Sequence, residues 1–211
     1  MRMVKSRFIL LKRLTTKLLD IQKKKVHMQD IKLPEVLNVK KVAQSKFFCV
    51  EAIDLLFSNG VRSTYERLAG GNGAVMVIPF DGEHFIFSQE YCVGTQNYEL
   101  GFVKGKIDQG ERPEESALRE LSEEIGYGAH KLTHLRTVNF APGFMTLKIH
   151  LYLAEDLYPC KLMSGDEPEE IQTIKYSIKE AQNLIDDVNS PLAEARCVMG
   201  LMYALKKVAK S

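Results

Sequence analysis

Residues 105–127 read GKIDQGERPEESALRELSEEIGY, a glycine-bounded loop followed by a short helix carrying Glu120, Glu123 and Glu124. Pro113 suits a helix's first turn, where its missing N–H costs nothing, and Glu114 and Glu115 complement the positive end of the dipole. Gly126 stands where a left-handed residue would terminate the helix. At about 100° per residue, Ala117, Leu118, Leu121 and Ile125 share one arc and should pack inward. Glu120, Glu123 and Glu124 gather on a neighbouring arc and should line a cleft. Three carboxylates at that spacing repel one another unless a cation sits among them. Taken alone, the residues also fit a solvated acidic face in which Glu123 pairs with Arg119 four residues earlier.

Outward from this stretch, the chain alternates strand patterns with turn chemistry. Phe47 to Phe57 and Val61 to Leu68 flank Asn59-Gly60, a hairpin signal, and Ala74 to Phe80 and His84 to Tyr91 flank Asp81-Gly82. AVMVIPF is a nearly continuous apolar run and predicts a central strand. Leu132 to Phe140, Met145 to Ala154 and Ile171 to Tyr176 predict further strands. Ser177 with Glu180 predicts a capping box for a helix to about Leu184. Ser190-Pro191 predicts the start of a last helix running to about Val208. The glycine-rich break at 69–73 divides the chain, predicting a basic extension over 1–33, a small β subdomain over 34–70 and the main domain over 71–211. The element order predicts an α+β fold, with helices covering a mixed sheet and a small antiparallel sheet at the N-terminal end.

Of 29 Lys/Arg and 27 Asp/Glu, nine and one fall in residues 1–27, so the remaining body carries 20 against 26. An acidic body is a poor nucleic-acid binder, because such binding rests on neutralising phosphates. It suits a small anionic substrate when a metal inverts the local charge. The basic extension reads as a disordered or loosely helical segment, with a membrane-surface helix or a targeting presequence as alternatives. Its apolar run is too short for a membrane span. The change in composition near Met28 makes that residue a candidate start of translation. Four scattered cysteines with no CxxC pair indicate reduced thiols in a cytoplasmic protein.

The spacing of Gly105, Glu111, Arg119-Glu120-Leu121, Glu123-Glu124 and Gly126 resembles the signature of the Nudix hydrolases, with Tyr127 standing where an aliphatic residue is usual. The resemblance implies an α/β/α sandwich. It also implies Mg²⁺ or Mn²⁺ held by Glu120 and Glu124, with Glu123 assisting and the backbone carbonyl of Lys104 as a further ligand. Glu111 would pair with Arg119 and hold the loop on the helix. From about Pro34 to Ala204 the chain further resembles the bacterial E-type Nudix hydrolases acting on ADP compounds, in segments such as LLFSNGVRSTYERL, EYCVGTQNYELGFVKGKID and LMSGDEPE. Pro142, fifteen residues beyond Tyr127, resembles a feature of the ADP-ribose branch.

That resemblance implies hydrolysis of ADP-ribose, NADH and diadenosine di- and triphosphate to AMP and a second phosphorylated product. The general base would come from the acidic loop 165–170, with Glu167 first and Glu169 second. Cys92 stands where an arginine often clamps the diphosphate, which leaves room for broader use of ADP derivatives. Arg67 is a candidate substitute, with pairing to Glu66 or Asp54 as its alternative. Tyr98 and Phe102 are candidates to stack on adenine, against the alternative of core packing. A homodimer formed through the N-terminal sheet is implied as well. The contrasting function is a Nudix-fold nucleotide sensor without turnover; a third, RNA decapping, is disfavoured by the acidic body.

Overall fold

Two turns bend the chain where their chemistry requires it. Asn59 Oδ1 accepts from the Val61 N–H while Gly60 takes φ 84°, and Asp81 Oδ1 accepts from the Glu83 and His84 N–H groups while Gly82 takes φ 101°. Glycine supplies these left-handed conformations without a Cβ clash. The computed structural model describes residues 31–160 and 168–210. The expected start at Met28 and the first-choice base Glu167 lie outside them. The strands are β1 (Glu35–Gln44), β2 (Cys49–Leu56), β3 (Arg62–Leu68), β4 (Ala74–Pro79), β5 (His84–Cys92), β6 (Asn97–Gly101), β7 (Val103–Lys106), β8 (Tyr127–Asn139), β9 (Lys148–Pro159) and β10 (Gln172–Ser177). The helices are α1 (Pro113–Ile125), α2 (Ile178–Asp186) and α3 (Ala195–Val208).

The chain divides into two units. The smaller is built on a three-stranded sheet in the order β1-β2-β3, in which Asp54 accepts from Thr64 Oγ1 and Asn38 Nδ2. The larger holds a mixed sheet, β7-β4-β9-β8, and an antiparallel sheet, β10-β5-β6. β4 runs parallel to β9 and antiparallel to β7, and it is central, as its apolar run predicts. Alternation along β4 feeds two cores. Met76 and Ile78 join Phe87, Phe102 and the α3 residues Cys197, Leu201 and Ala204. Val75 and Val77 join Val103, Tyr152 and the α1 residues Ala117 and Leu121. A sheet buried on both faces needs a helix layer on each side, and the fold is accordingly an α+β sandwich.

Several boundaries differ from the sequence reading. β6 and β7 were not predicted as strands, because NYELG and VKGK are short and carry little periodic apolar signal. β8 begins at Tyr127 rather than Leu132, its register with β9 continuing to Pro159. The last helix begins at Ala195, not Ser190-Pro191. Ser190 Oγ accepts from the Leu192 N–H and Ala193 N–H bonds Pro191 O, so serine and proline form a turn that buries Leu192 before the helix starts. On α1, Leu118 is 37 % exposed, whereas Ser116 and Ser122 are buried in its place. Ser116 Oγ donates to Glu111 and Ser122 Oγ to the Cys160 carbonyl, so both hydroxyls are satisfied.

Candidate active site

α1 holds its carboxylates rigidly because both ends are fixed. Pro113 opens it, the Glu115 carboxylate accepts from the Arg112 N–H, and Gly126 closes it at φ 71° with its N–H on the Leu121 and Ser122 carbonyls. Arg119 organises the exposed side. Its guanidinium donates to Glu111 Oε1 and Oε2 at 3.0 and 3.1 Å, to Glu120 Oε1 at 2.8 Å, to Glu123 Oε2 at 2.9 Å and to the Lys106 carbonyl at 3.1 Å. A planar five-donor fork suits such convergence. The Arg119 hydrogen bonds, joined by that from Ser116, hold the Glu111 carboxyl down to about 2.

The expected crowd of three carboxylates therefore resolves into two arrangements. Glu120 and Glu123 share Arg119, as the ion-pair reading of Glu123 allows. Glu124 turns to the loop, where its Oε1 accepts from the Lys104 N–H at 3.2 Å. Among the described residues no three His, Cys, Asp or Glu side chains converge as a ready metal cage. The donor set nevertheless fits a hard cation. Glu124 Oε2 is buried without a hydrogen-bond partner. Burial, with Glu90 and Glu120 nearby, pushes the Glu124 carboxyl up to about 9. A divalent cation beside that oxygen would supply the positive charge that burial withholds. The Glu120 carboxylate lies against Gly105, where an added Cβ would stand 1.8 Å from it, so the glycine makes the space the carboxylate occupies.

A second group of charges adjoins the first. The Lys104 ammonium donates to the Phe102 carbonyl at 2.8 Å and lies 3.7 Å from Glu194 on the turn before α3. Burial opposes its charge, but Cys197, Glu90, Glu194 and Glu124 around it hold its pKa above the ordinary value. Arg196 pairs with Glu194 and lies over the Phe140 ring. Sequence reading missed the Lys104 side chain, Glu90 and Glu194. Each is a lone charge on a separate element, β5, β7 and the turn before α3, and only the tertiary fold brings these elements together.

The remaining candidates fall in different places. Tyr98 is half exposed on β6 and donates to Glu169 Oε1 at 2.6 Å. Phe102 is fully buried and stacks on Phe87 at 4.3 Å, so it is a core residue and not a platform for a base. Arg67 is half-buried at the end of β3. Pro142 lies exposed in the β8–β9 turn, which is stitched to the chain just after Arg67 by Leu68 N–H to Phe144 O, Thr146 N–H to Leu68 O and Gly70 N–H to Thr146 Oγ1.

A helix whose arginine gathers the acids of the preceding loop against a glycine backbone is the arrangement that the 105–127 signature implied. Residues 34–67 match the NudE-type Nudix hydrolase N-terminal domain and residues 72–195 match the NUDIX domain. The chain belongs to the Nudix hydrolase family. Among individual proteins, it is 44% identical to the ADP compounds hydrolase NudE of Escherichia coli (strain K12), covering 82% of this chain and 92% of that protein. It is 29% identical to an ADP-ribose pyrophosphatase of Bacillus subtilis (strain 168), covering 82% and 96% respectively. A crystal structure of an ADP compounds hydrolase superposes with a TM-score of 0.79 at 43% identity, covering 86% of this chain and 97% of that one.

Proposed function

We propose that the protein is a divalent-metal-dependent pyrophosphohydrolase that cleaves ADP-linked compounds, namely ADP-ribose, NADH and diadenosine di- and triphosphate, to AMP and a second phosphorylated product. The observation that carries this reading is Glu124 Oε2, a buried carboxylate oxygen with no hydrogen-bond partner beside the Arg119 network. The names of the two relatives support the substrate class. Glu120 and Glu124 would hold Mg²⁺ or Mn²⁺, with Glu123 and the Lys104 carbonyl completing the set. When bound, the cation neutralises diphosphate oxygens and acidifies water.

The chain's own residues do the rest. Arg119 fixes Glu111, Glu120 and Glu123, so the loop and helix present their acids without reorganising. The 165–170 loop supplies the general base, with Glu167 and Glu169 as candidates. Glu169 is steered by the Tyr98 hydroxyl. Arg67 and Pro142 are candidates to contact substrate from the stitched segments described above, and Tyr98 from β6.

A second copy of the chain is the proposed partner, through the N-terminal sheet, where Val36, Leu37, Val39 and Val42 of β1 stand exposed. Among the described residues no helix is long and apolar enough to cross a membrane; the cytoplasm is the proposed location. The test of function is a substrate panel with Mg²⁺ and with Mn²⁺ that compares ADP-ribose, NADH, diadenosine triphosphate and nucleoside triphosphates. AMP release is expected from the ADP-linked compounds and is lost on chelation. No AMP from any of them would overturn the reading.

A further inference from the structure

Among the described residues, Glu124 Oε2 has no hydrogen-bond partner although Lys104 lies close enough to act on its charge. The Lys104 ammonium instead donates to the Phe102 carbonyl at 2.8 Å and pairs with Glu194 Oε2 at 3.7 Å. An ammonium and a carboxylate withdrawn from water side by side ordinarily pair with each other. The strand keeps these two apart. Along β7, Phe102 joins the α3 core, Val103 joins the α1 core and Lys104 turns back to the α3 side, while Gly105 opens on α1, where an added Cβ would meet Glu120. The Lys104 N–H serves Glu124 Oε1 at 3.2 Å while its side chain leaves towards α3. In a strand a residue's N–H and C=O lie on one side, so the Lys104 carbonyl shares the edge that faces Glu124.

Glu194 is built to hold the ammonium there. It is the N-cap of α3 and its carbonyl accepts from the Val198 N–H at 3.0 Å, so its carboxylate starts from a fixed point. Oε1 pairs with Arg196, and Oε2 accepts from the Cys197 thiol at 3.3 Å while facing Lys104. Gly101 of β6 leaves the room. A Cβ there would stand 3.0 Å from Lys104 Nζ, 3.4 Å from Cys197 Sγ and 3.9 Å from Glu194 Oε2. A glycine, an acid and a thiol thus form a seat for one ammonium on the side of β7 away from α1.

We propose that Glu194 is a positioning residue of the metal site: it holds the Lys104 ammonium on the α3 side of β7 and so keeps Glu124 Oε2 open to a divalent cation. Without that anchor, Glu90 and Glu124 are the acids left near Lys104. A flexible four-carbon stem lets the ammonium swing to Glu124. The protein's own cation then competes with the metal for one carboxylate. This role rests on the metal-dependent reading of the site and deepens it, because it ties metal affinity to the docking of α3.

The test is binding of Mn²⁺ alone to the full chain, with free Mn²⁺ read by electron paramagnetic resonance and no substrate present. Glu194→Gln keeps the shape and removes the charge. It should weaken Mn²⁺ binding about tenfold, the usual scale for losing a residue that supports a metal ligand. Lys104→Met removes the competing ammonium and keeps an apolar stem. Added to Glu194→Gln, it should return Mn²⁺ affinity to within about threefold of wild type, the coupling expected of two residues in one charge network. A residue that only stabilised the fold would instead make the double variant the weakest binder. Unchanged affinity in Glu194→Gln, or no recovery in the double variant, overturns the positioning role. AMP release from ADP-ribose by the wild-type chain alongside either result leaves the hydrolase reading standing. A wild-type chain that binds no Mn²⁺ overturns the role together with the metal-dependent reading on which it rests.

Discussion

Glu124 is the residue on which chemistry and stability pull in opposite directions. Its folded pKa, about 9, lies above the ordinary 4.5, so the folded state holds a proton that the unfolded chain releases. Stability from this group is present below about 4.5 and declines as pH rises towards 9. Glu124→Gln removes that penalty at neutral pH while deleting a candidate ligand. We expect hydrolysis to fall by at least about a hundredfold, as is typical when a metal site is damaged, with a melting temperature equal to or above wild type. Steady-state kinetics with a thermal melt checks it, and a clear drop in melting temperature would refute the account. Gly105 makes the complementary case. An alanine Cβ there would meet the flexible carboxylate of Glu120, whereas at Gly70 it would meet the backbone of Leu147 at 2.6 Å. Gly105→Ala should therefore abolish most activity and leave the melt within a few degrees, while Gly70→Ala should destabilise by about 1–3 kcal/mol. The two melts, compared side by side, decide it.

At the scale of the element, α1 depends on Arg119 as much as on its apolar face. Lysine keeps the charge but cannot reach Glu111, Glu120, Glu123 and the Lys106 carbonyl with one planar group. Arg119→Lys should cost about 1–3 kcal/mol in urea unfolding and at least tenfold in kcat, because acids released from the fork lose their aim. A variant with wild-type kcat would contradict that. Glu111 adds a pH signature. Its folded pKa is depressed to about 2, so its stabilisation is present above about 4.5 and is lost as pH falls from there through 2. Glu111→Gln should flatten the acid limb of stability between those values, measured as melting temperature at pH 3 against pH 7. Much of this element was legible beforehand: the proline start, the glycine stop, and the Glu111 and Arg119 pairing. The division of its carboxylates was not, because a 3.6-residue period assigns faces but not which acid a guanidinium captures. Leu118 came out exposed and two serines buried for the same reason: the neighbouring strands decide where an apolar arc ends.

For the whole molecule, the N-terminal sheet carries the remaining test. If its exposed valines and leucine bury against a second copy, light scattering should give twice the chain mass of 23.9 kDa. Leu37→Asp with Val39→Asp, two apart on one face of β1, should return the monomer. A wild-type monomer at micromolar concentration would remove the dimer. Legibility followed range along the chain. The sequence alone determined what is local or strictly spaced: the 105–127 signature and hence the family, the hairpin turn at Asn59-Gly60, the central β4 run and the Ser177 capping box; Asp81-Gly82 is a turn as expected, but it passes from one sheet to the other, β4 and β5 sharing only the Phe80–Phe85 bridge instead of the expected hairpin. Tertiary structure decided that β6 and β7 are strands, that Leu192 draws Ser190-Pro191 into a turn ahead of α3, that Phe102 is core, and that Glu90, Glu124 and Glu194 surround the buried Lys104 ammonium. The physical reason is that turns and helix caps are settled by backbone chemistry within a few residues. Burial and charge pairing instead depend on which distant strands lie side by side.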